Sequence, residues 1–142
     1  MGFLNFLGRA DSAAATAPGL ADIVAGYSIE VTPRTAEKVD NFRDLLPEGT
    51  LVYVAHIEGT PIEDMIRTTR RLGDQGMRAM PHITARGMTG LDQFRDWLSR
   101  YAGEAGVSRA LVLAGGHDRP AGDLTSSMQL LESGLFDRFG FR

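Results

Sequence analysis

With 142 residues, 43% of them hydrophobic and 23% charged, the chain has the size and composition of one globular domain able to bury a sizeable core. A formal net charge of −3, with no block of like charge, excludes the electrostatic footprint of a nucleic-acid binder or an anionic-membrane binder. The absence of cysteine excludes a disulfide framework, a thiolate zinc site and a thiol nucleophile together.

Phe3, Leu4, Phe6 and Leu7 form a short apolar cluster, interrupted by Asn5 and Gly8 and followed at once by Arg9 and Asp11. It is too short for a signal-peptide core and far too short to span a bilayer, so a cytoplasmic protein without membrane partners is expected. The other reading of the cluster is a greasy segment that docks on a partner or on the rest of a fold. Residues 10–19 are rich in Ala, Ser and Thr and close on Pro-Gly. Residues 1–19 therefore read as a mobile segment and linker, ahead of one domain over 20–142.

Residues 20–25 can form one helical turn. The run Tyr27-Ser28-Ile29-Glu30-Val31 is β-branched and aromatic and closes on Thr32-Pro33, which predicts a strand. Thr35 is then expected to cap a helix with Val39, Phe42, Leu45 and Leu46 on one face, ended by Pro47-Glu48-Gly49. The second strand, over 50–56, is too apolar to have a wet face, which is the mark of a parallel sheet. Thr60-Pro61-Ile62-Glu63 reads as a capping box for a helix with Ile62, Met65, Ile66 and Leu72 at helical spacing and a stop at Gly76. A third strand covers 77–83, with Pro81 expected to mark where pairing gives way to a loop. Thr89 is expected to cap a third helix with a buried stripe of Leu91, Phe94, Leu98 and Tyr101, beside which Trp97 packs. The fourth strand, over 110–113, precedes a helix that starts near Ser126, carries Met128, Leu131 and Leu135, and stops between Gly134 and Gly140.

Four successive βα units predict an α/β fold with parallel strands, either an open doubly wound sheet or half of a TIM-type (β/α)8 barrel. A complete barrel needs roughly 250 residues, and regular units without a long crossover favour the half-barrel. Such a half leaves its first and fourth strands with unpaired edges, so either the chain is a truncated piece or copies associate into a homo-oligomer.

Strand ends in a parallel array converge on one rim. Here they are Glu30, His56, His82 with Thr84, and His117 with Asp118, so all three histidines of the chain fall on that rim. Glu30 alternates with Ile29 and Val31 and is expected to face the barrel interior, where desolvation raises a carboxyl pKa and suits it to donate a proton; the alternative is a structural Glu paired with an interior cation. His56, His82 and His117 could in principle form a three-imidazole zinc centre, but they sit on separate strands without paired ligand spacing, and no metal is expected. Ser126 and Ser127 lack a nucleophile-elbow context. Arg86 is a candidate for meeting a substrate carboxylate. Past the fourth strand, Ala114, Gly115 and Gly116 open a glycine-rich turn in which bare backbone N–H groups could approach a ligand.

Taken together, Ser28-Ile29-Glu30-Val31-Thr32-Pro33, Pro81-His82-Ile83-Thr84-Ala85 and Leu113-Ala114-Gly115-Gly116 resemble the methylenetetrahydrofolate reductase family. Its barrel opens on an S-F-E-F-F-P-P-like strand and has a P-H-L-T-C-like third strand and an L-R-G-D-like fourth. The likeness runs over 27–141 and would correspond to the first four units of an eight-unit barrel. It implies an enzyme of one-carbon metabolism that uses FAD and NAD(P)H to reduce 5,10-methylenetetrahydrofolate to 5-methyltetrahydrofolate, or runs the reverse reaction. Glu30 matches the family's general acid, which protonates the folate nitrogen released as the methylene bridge opens. His82 and Thr84 match the third-strand segment beside the flavin.

At the end of strand two, where the family has threonine and tyrosine, this chain has Ala55 and His56. After strand four, arginine, glycine and aspartate are replaced by Ala114, Gly115 and Gly116, with a carboxylate only at Asp118. These departures resemble a branch that transfers hydride directly from the nicotinamide without flavin. The resemblance thus implies Glu30 as catalytic acid and folate contact, His56, His82, Thr84, Ala114, Gly115 and Gly116 at the cofactor, and His117 and Asp118 at the folate. The alternative is a half-barrel with no activity of its own until its edges are covered.

Overall fold

Four short strands, β1 (Ser28–Val31), β2 (Leu51–Val54), β3 (Arg78–Thr84) and β4 (Leu111–Leu113), pair in the order β1-β2-β3-β4 in a computed structural model that describes residues 19–142. All three pairings are parallel. The order follows the chain without the reversal that makes the switch point of a doubly wound sheet. The apolar cluster at Phe3 to Leu7, and the expected mobile segment apart from Gly19, lie outside the described residues.

Side chains alternate across a strand, so the register sorts them into two rows. Ile29, Val52, Val54, Ala79, Ile83 and Val112 share one face and join the hydrophobic core with the helices. Ser28, Glu30, Leu51, Tyr53, Met80, His82, Thr84, Leu111 and Leu113 share the other. Leu51, Tyr53, Met80, Leu111 and Leu113 on that second face are only half-buried and take no part in the core cluster. Helices therefore cover one face of the sheet.

Pro81 was expected to end the pairing of β3, yet the strand runs on to Thr84. Arg78 N–H donates to Thr50 O, so even-numbered amides of β3 point toward β2 and position 81 points the other way. Pairing with β4 begins only at His82, so the N–H that Pro81 lacks costs no ladder bond.

Among the described residues six α-helices accompany the strands: α1 (Leu20–Val24), α2 (Pro33–Ala36), α3 (Ile62–Asp74), α4 (Leu91–Ala105), α5 (Ser127–Glu132) and α6 (Leu135–Arg138). The helix expected to run from Thr35 to Leu46 does not form as one piece. Thr32, not Thr35, caps α2, in a reciprocal box with Thr35 and with Pro33 in the first turn. Beyond Ala36 the backbone is claimed by α3: the Arg71 guanidinium donates to the carbonyls of Ala36, Val39 and Asp40, and Phe42 N–H donates to the Gln75 side chain. Those tertiary bonds replace the helical ladder, and Phe42–Asp44 turn as a short 3-10 segment that leaves Leu45 66% exposed.

Two other expected caps shift. Helix α3 starts after Pro61, whose carbonyl accepts from the Asp64 and Met65 N–H groups and whose side chain offers no cap, while the Thr60 carbonyl accepts from His56. Helix α4 is capped at Gly90; Thr89 N–H donates to Gln93 Oε1, and the expected stripe residue Leu91 is exposed. Phe94, Trp97, Leu98 and Tyr101 are the buried residues of α4. Ser126 caps α5 in a box with Gln129, where the helix was expected to start, and Gly134 at φ +69° splits the expected single helix into α5 and α6.

Candidate functional site

Glu30 and His82 meet on the face that the helices leave open. β2 separates their strands, but both side chains belong to the same row, and the Glu30 Oε2 lies 3.4 Å from the His82 Nε2. The contact is an ion-pair distance without hydrogen-bond geometry, since Nε2 is buried with no hydrogen-bond partner. Tyr53, between them in the row, holds its ring 6.0 Å from that of His82. Burial pushes the His82 pKa below the ordinary imidazole value, and the Glu30 carboxylate opposes that shift. Glu30 is not desolvated as expected: its side chain is 58% exposed on the edge strand β1, while His82 and Thr84, farther along on the same face, are buried.

A second cluster forms around a cleft of about 310 Å³ lined by His56, Thr84, Gly87, Gln93, Trp97 and His117 among others. The His56 ring rests 5.0 Å from the Trp97 ring, and its Nε2 is 3.0 Å from the Thr60 carbonyl. A carbonyl can only accept, so Nε2 carries the proton and Nδ1 holds the lone pair. His56 Nδ1, Thr84 Oγ1 and His117 Nδ1 are buried without hydrogen-bond partners among the described residues. Burial lowers the His56 pKa, the bond to Thr60 opposes it, and His117 and His82 add smaller repulsions.

The strand-end residues expected on one rim thus divide into two groups, Glu30 with His82 and His56 with Thr84 and His117. Among the described residues no three His, Asp or Glu side chains come close enough to share a metal ion.

The loop after β4 is held by Arg86, which was expected to be available to a substrate carboxylate. Its N–H donates to Ala114 O, its Nη2 to Asp118 O, and its carbonyl accepts from Ala121 N–H, each at 2.8 Å. Gly115, at φ +97°, brings the loop against Thr84, where a Cβ would stand 3.1 Å from the Thr84 Cβ. Gly116 and Asp118 are exposed and line neither group. Tyr53, Gly87 and Gln93 belong to the site yet carry no motif; a strand-register argument could have found Tyr53.

Gly122 packs against the backbone of Thr89 so closely that a Cβ would collide with it. Gly122→Ala is expected to destabilise the fold by about 1–3 kcal/mol through displacement of this loop, read as a lower urea midpoint.

The two histidines with lowered pKa values also set a pH dependence. Their folded values lie below their unfolded ones, so the unfolded chain binds more protons as pH falls through about 6.5. Their contribution to stability is present above that pH and lost as pH falls through the folded values. The melting temperature is expected to drop between pH 7.5 and 5, and less steeply in His56→Gln, as thermal unfolding at each pH would show.

No protein-family model matches this chain.

Proposed function

We propose that the chain is one half of a (β/α)8 barrel and that its open face carries out hydride transfer between NAD(P)H and 5,10-methylenetetrahydrofolate. Consecutive parallel strand order and helices confined to one face support the half-barrel. The observation that carries the chemistry is the Glu30 carboxyl meeting His82 across β2 near the carboxyl end of the sheet.

In the reducing direction Glu30 donates its proton to the folate nitrogen that leaves the methylene bridge. NAD(P)H, when bound, would supply the hydride for the exposed methylene carbon, giving 5-methyltetrahydrofolate and NAD(P)⁺. The reverse reaction removes hydride from the methyl group and returns the proton to Glu30. His82, whose charged form burial disfavours, lies beside the carboxyl. His56, Thr84 and His117 border the rim where the dinucleotide and pterin would converge, and the Ala114-Gly115-Gly116 turn leaves that rim low.

A flavin fits these residues poorly. The Arg86 guanidinium, which holds the β4 loop, is bonded to the Asp118 carbonyl, and Ala114 supplies no charge for a pyrophosphate. Hydride transfer is therefore assigned directly to the nicotinamide. The uncovered face favours a second reading as well, a half-barrel that is inactive until that face is closed.

The test is oxidation of NADH or NADPH dependent on methylenetetrahydrofolate, with 5-methyltetrahydrofolate identified by mass spectrometry. A folded chain that turns over neither substrate in either direction overturns the assignment.

A further inference from the structure

We infer that the cleft bounded by His56, Thr84, Gln93, Trp97 and His117 seats the carboxamide end of a nicotinamide ring, with His56 Nδ1 accepting from the amide N–H and Gln93 Nε2 donating to its carbonyl. The inference rests on the reading that the protein uses NAD(P)H. Three polar atoms at this cleft, His56 Nδ1, Thr84 Oγ1 and His117 Nδ1, are buried without hydrogen-bond partners among the described residues, and Thr84 as a whole is only 4% exposed. Buried polar groups left unpaired are unfavourable, so such a set marks a place where a ligand completes the bonding. A Cβ at Gly87 would stand 2.9 Å from Thr84 Oγ1 and 3.0 Å from His117 Cε1, so a glycine there lets both side chains border the cleft.

The pattern of donors and acceptors selects the ligand. His56 Nε2 is tied to the Thr60 carbonyl and burial disfavours the charged ring, which leaves Nδ1 as an acceptor. Gln93 Oε1 accepts from both the N–H and the hydroxyl of Thr89, so its Nε2 remains as a donor. The Thr84 hydroxyl can serve either way. Glu58 lines the cleft and no Lys or Arg among the described residues does, which disfavours a phosphate or a carboxylate. No three His, Asp or Glu side chains among the described residues can share a metal ion, and a hydrocarbon would leave every polar atom unpaired. What matches is a flat neutral group that presents an N–H beside a C=O, set against the Trp97 ring, which is 5.0 Å from that of His56. At about 310 Å³ the cleft is at the small end of ligand pockets, room for one ring rather than for a whole dinucleotide. A pterin also carries such an amide edge, but the assigned reaction keeps the pterin at Glu30, in the other group of the rim.

Trp97 is the one tryptophan of the chain and lines this cleft, so its indole N–H gives a single NMR resonance that reports on the site directly. The probes are NAD⁺ and NADP⁺, each beside its nicotinic-acid counterpart, in which a carboxylate replaces the carboxamide. The resonance is expected to shift saturably with at least one of the two dinucleotides. Its acid counterpart is expected to bind about 10–100-fold more weakly, because a carboxylate has no N–H to give and meets the His56 lone pair. Gln93→Glu keeps an oxygen for Thr89 and loses the donor, and is expected to weaken binding of the dinucleotide by about 10-fold or more. A stationary resonance with both dinucleotides, equal affinity for the acid counterparts, or undiminished binding in a folded Gln93→Glu would each overturn the site. So would a resonance that moves with 5-methyltetrahydrofolate alone, which assigns the cleft to the pterin. The acid comparison uses the unmodified chain and decides the matter even where the variant does not fold. Saturable binding without folate-dependent turnover would leave the site standing and overturn only the reaction, and turnover with an unmoved resonance would do the reverse.

Discussion

Replacing Glu30 by glutamine is expected to slow folate-dependent NAD(P)H oxidation by about 10²–10⁴-fold, the usual range for loss of a positioned general acid. Glutamine keeps the size and hydrogen-bonding capacity of the side chain but has no proton to give to a leaving nitrogen. The loss should fall on kcat, with KM for the nicotinamide little changed, because the assigned role is in the transition state rather than in binding. Folding should be unaffected, since the Glu30 side chain is 58% exposed and its ion-pair partner among the described residues is His82. Full activity in Glu30→Gln would remove the acid assignment. His82→Gln offers a separate reading, because an imidazole beside the acid should influence the pH profile of kcat more than its maximum.

Truncating Phe94 to alanine is expected to cost about 3–5 kcal/mol, a large share of the roughly 5–15 kcal/mol that holds a domain together. Phe94 is fully buried on α4 and meets Phe136 edge-to-face at 5.1 Å, and Phe136 in turn meets Phe141 at 5.9 Å. This row ties α4 to α6 and to the end of the described chain, beneath the edge at β4. An alanine leaves a cavity that flanking helices of fixed length cannot collapse into. Phe94→Leu should lose far less. Urea unfolding would measure both, and a cost below about 1 kcal/mol for the alanine would show that the aromatic row contributes little.

The βα alternation was legible because its signals are local. Short β-branched and apolar runs bounded by turn residues mark β1 to β4, and the start of α5 falls at Ser126 as expected. The segment from 37 to 46 misled for the opposite reason. Its apolar residues fall at helical spacing, but Arg71 and Gln75, some thirty positions away, take over its carbonyls and amide. Local pattern carries no information about such a competitor. The capping reading at Thr60 failed by one residue, since the helix takes Pro61 as its N-cap.

For the site, the sequence by itself placed Glu30 opposite in phase to Ile29 and Val31 and put each histidine at a strand end, since alternation along one strand is a property of consecutive residues. Only the tertiary structure decided which of them meet. The registers of β1 with β2 and β2 with β3 set Glu30 level with Met80, one same-face position before His82, whose Nε2 lies 3.4 Å from Oε2, while His56 is turned toward Trp97 and the cleft it shares with His117. Register across strands depends on packing and loop lengths summed over the whole sheet. Burial behaves the same way: Glu30 remains exposed because desolvation is set by what covers a face, and no residue on β1 specifies that.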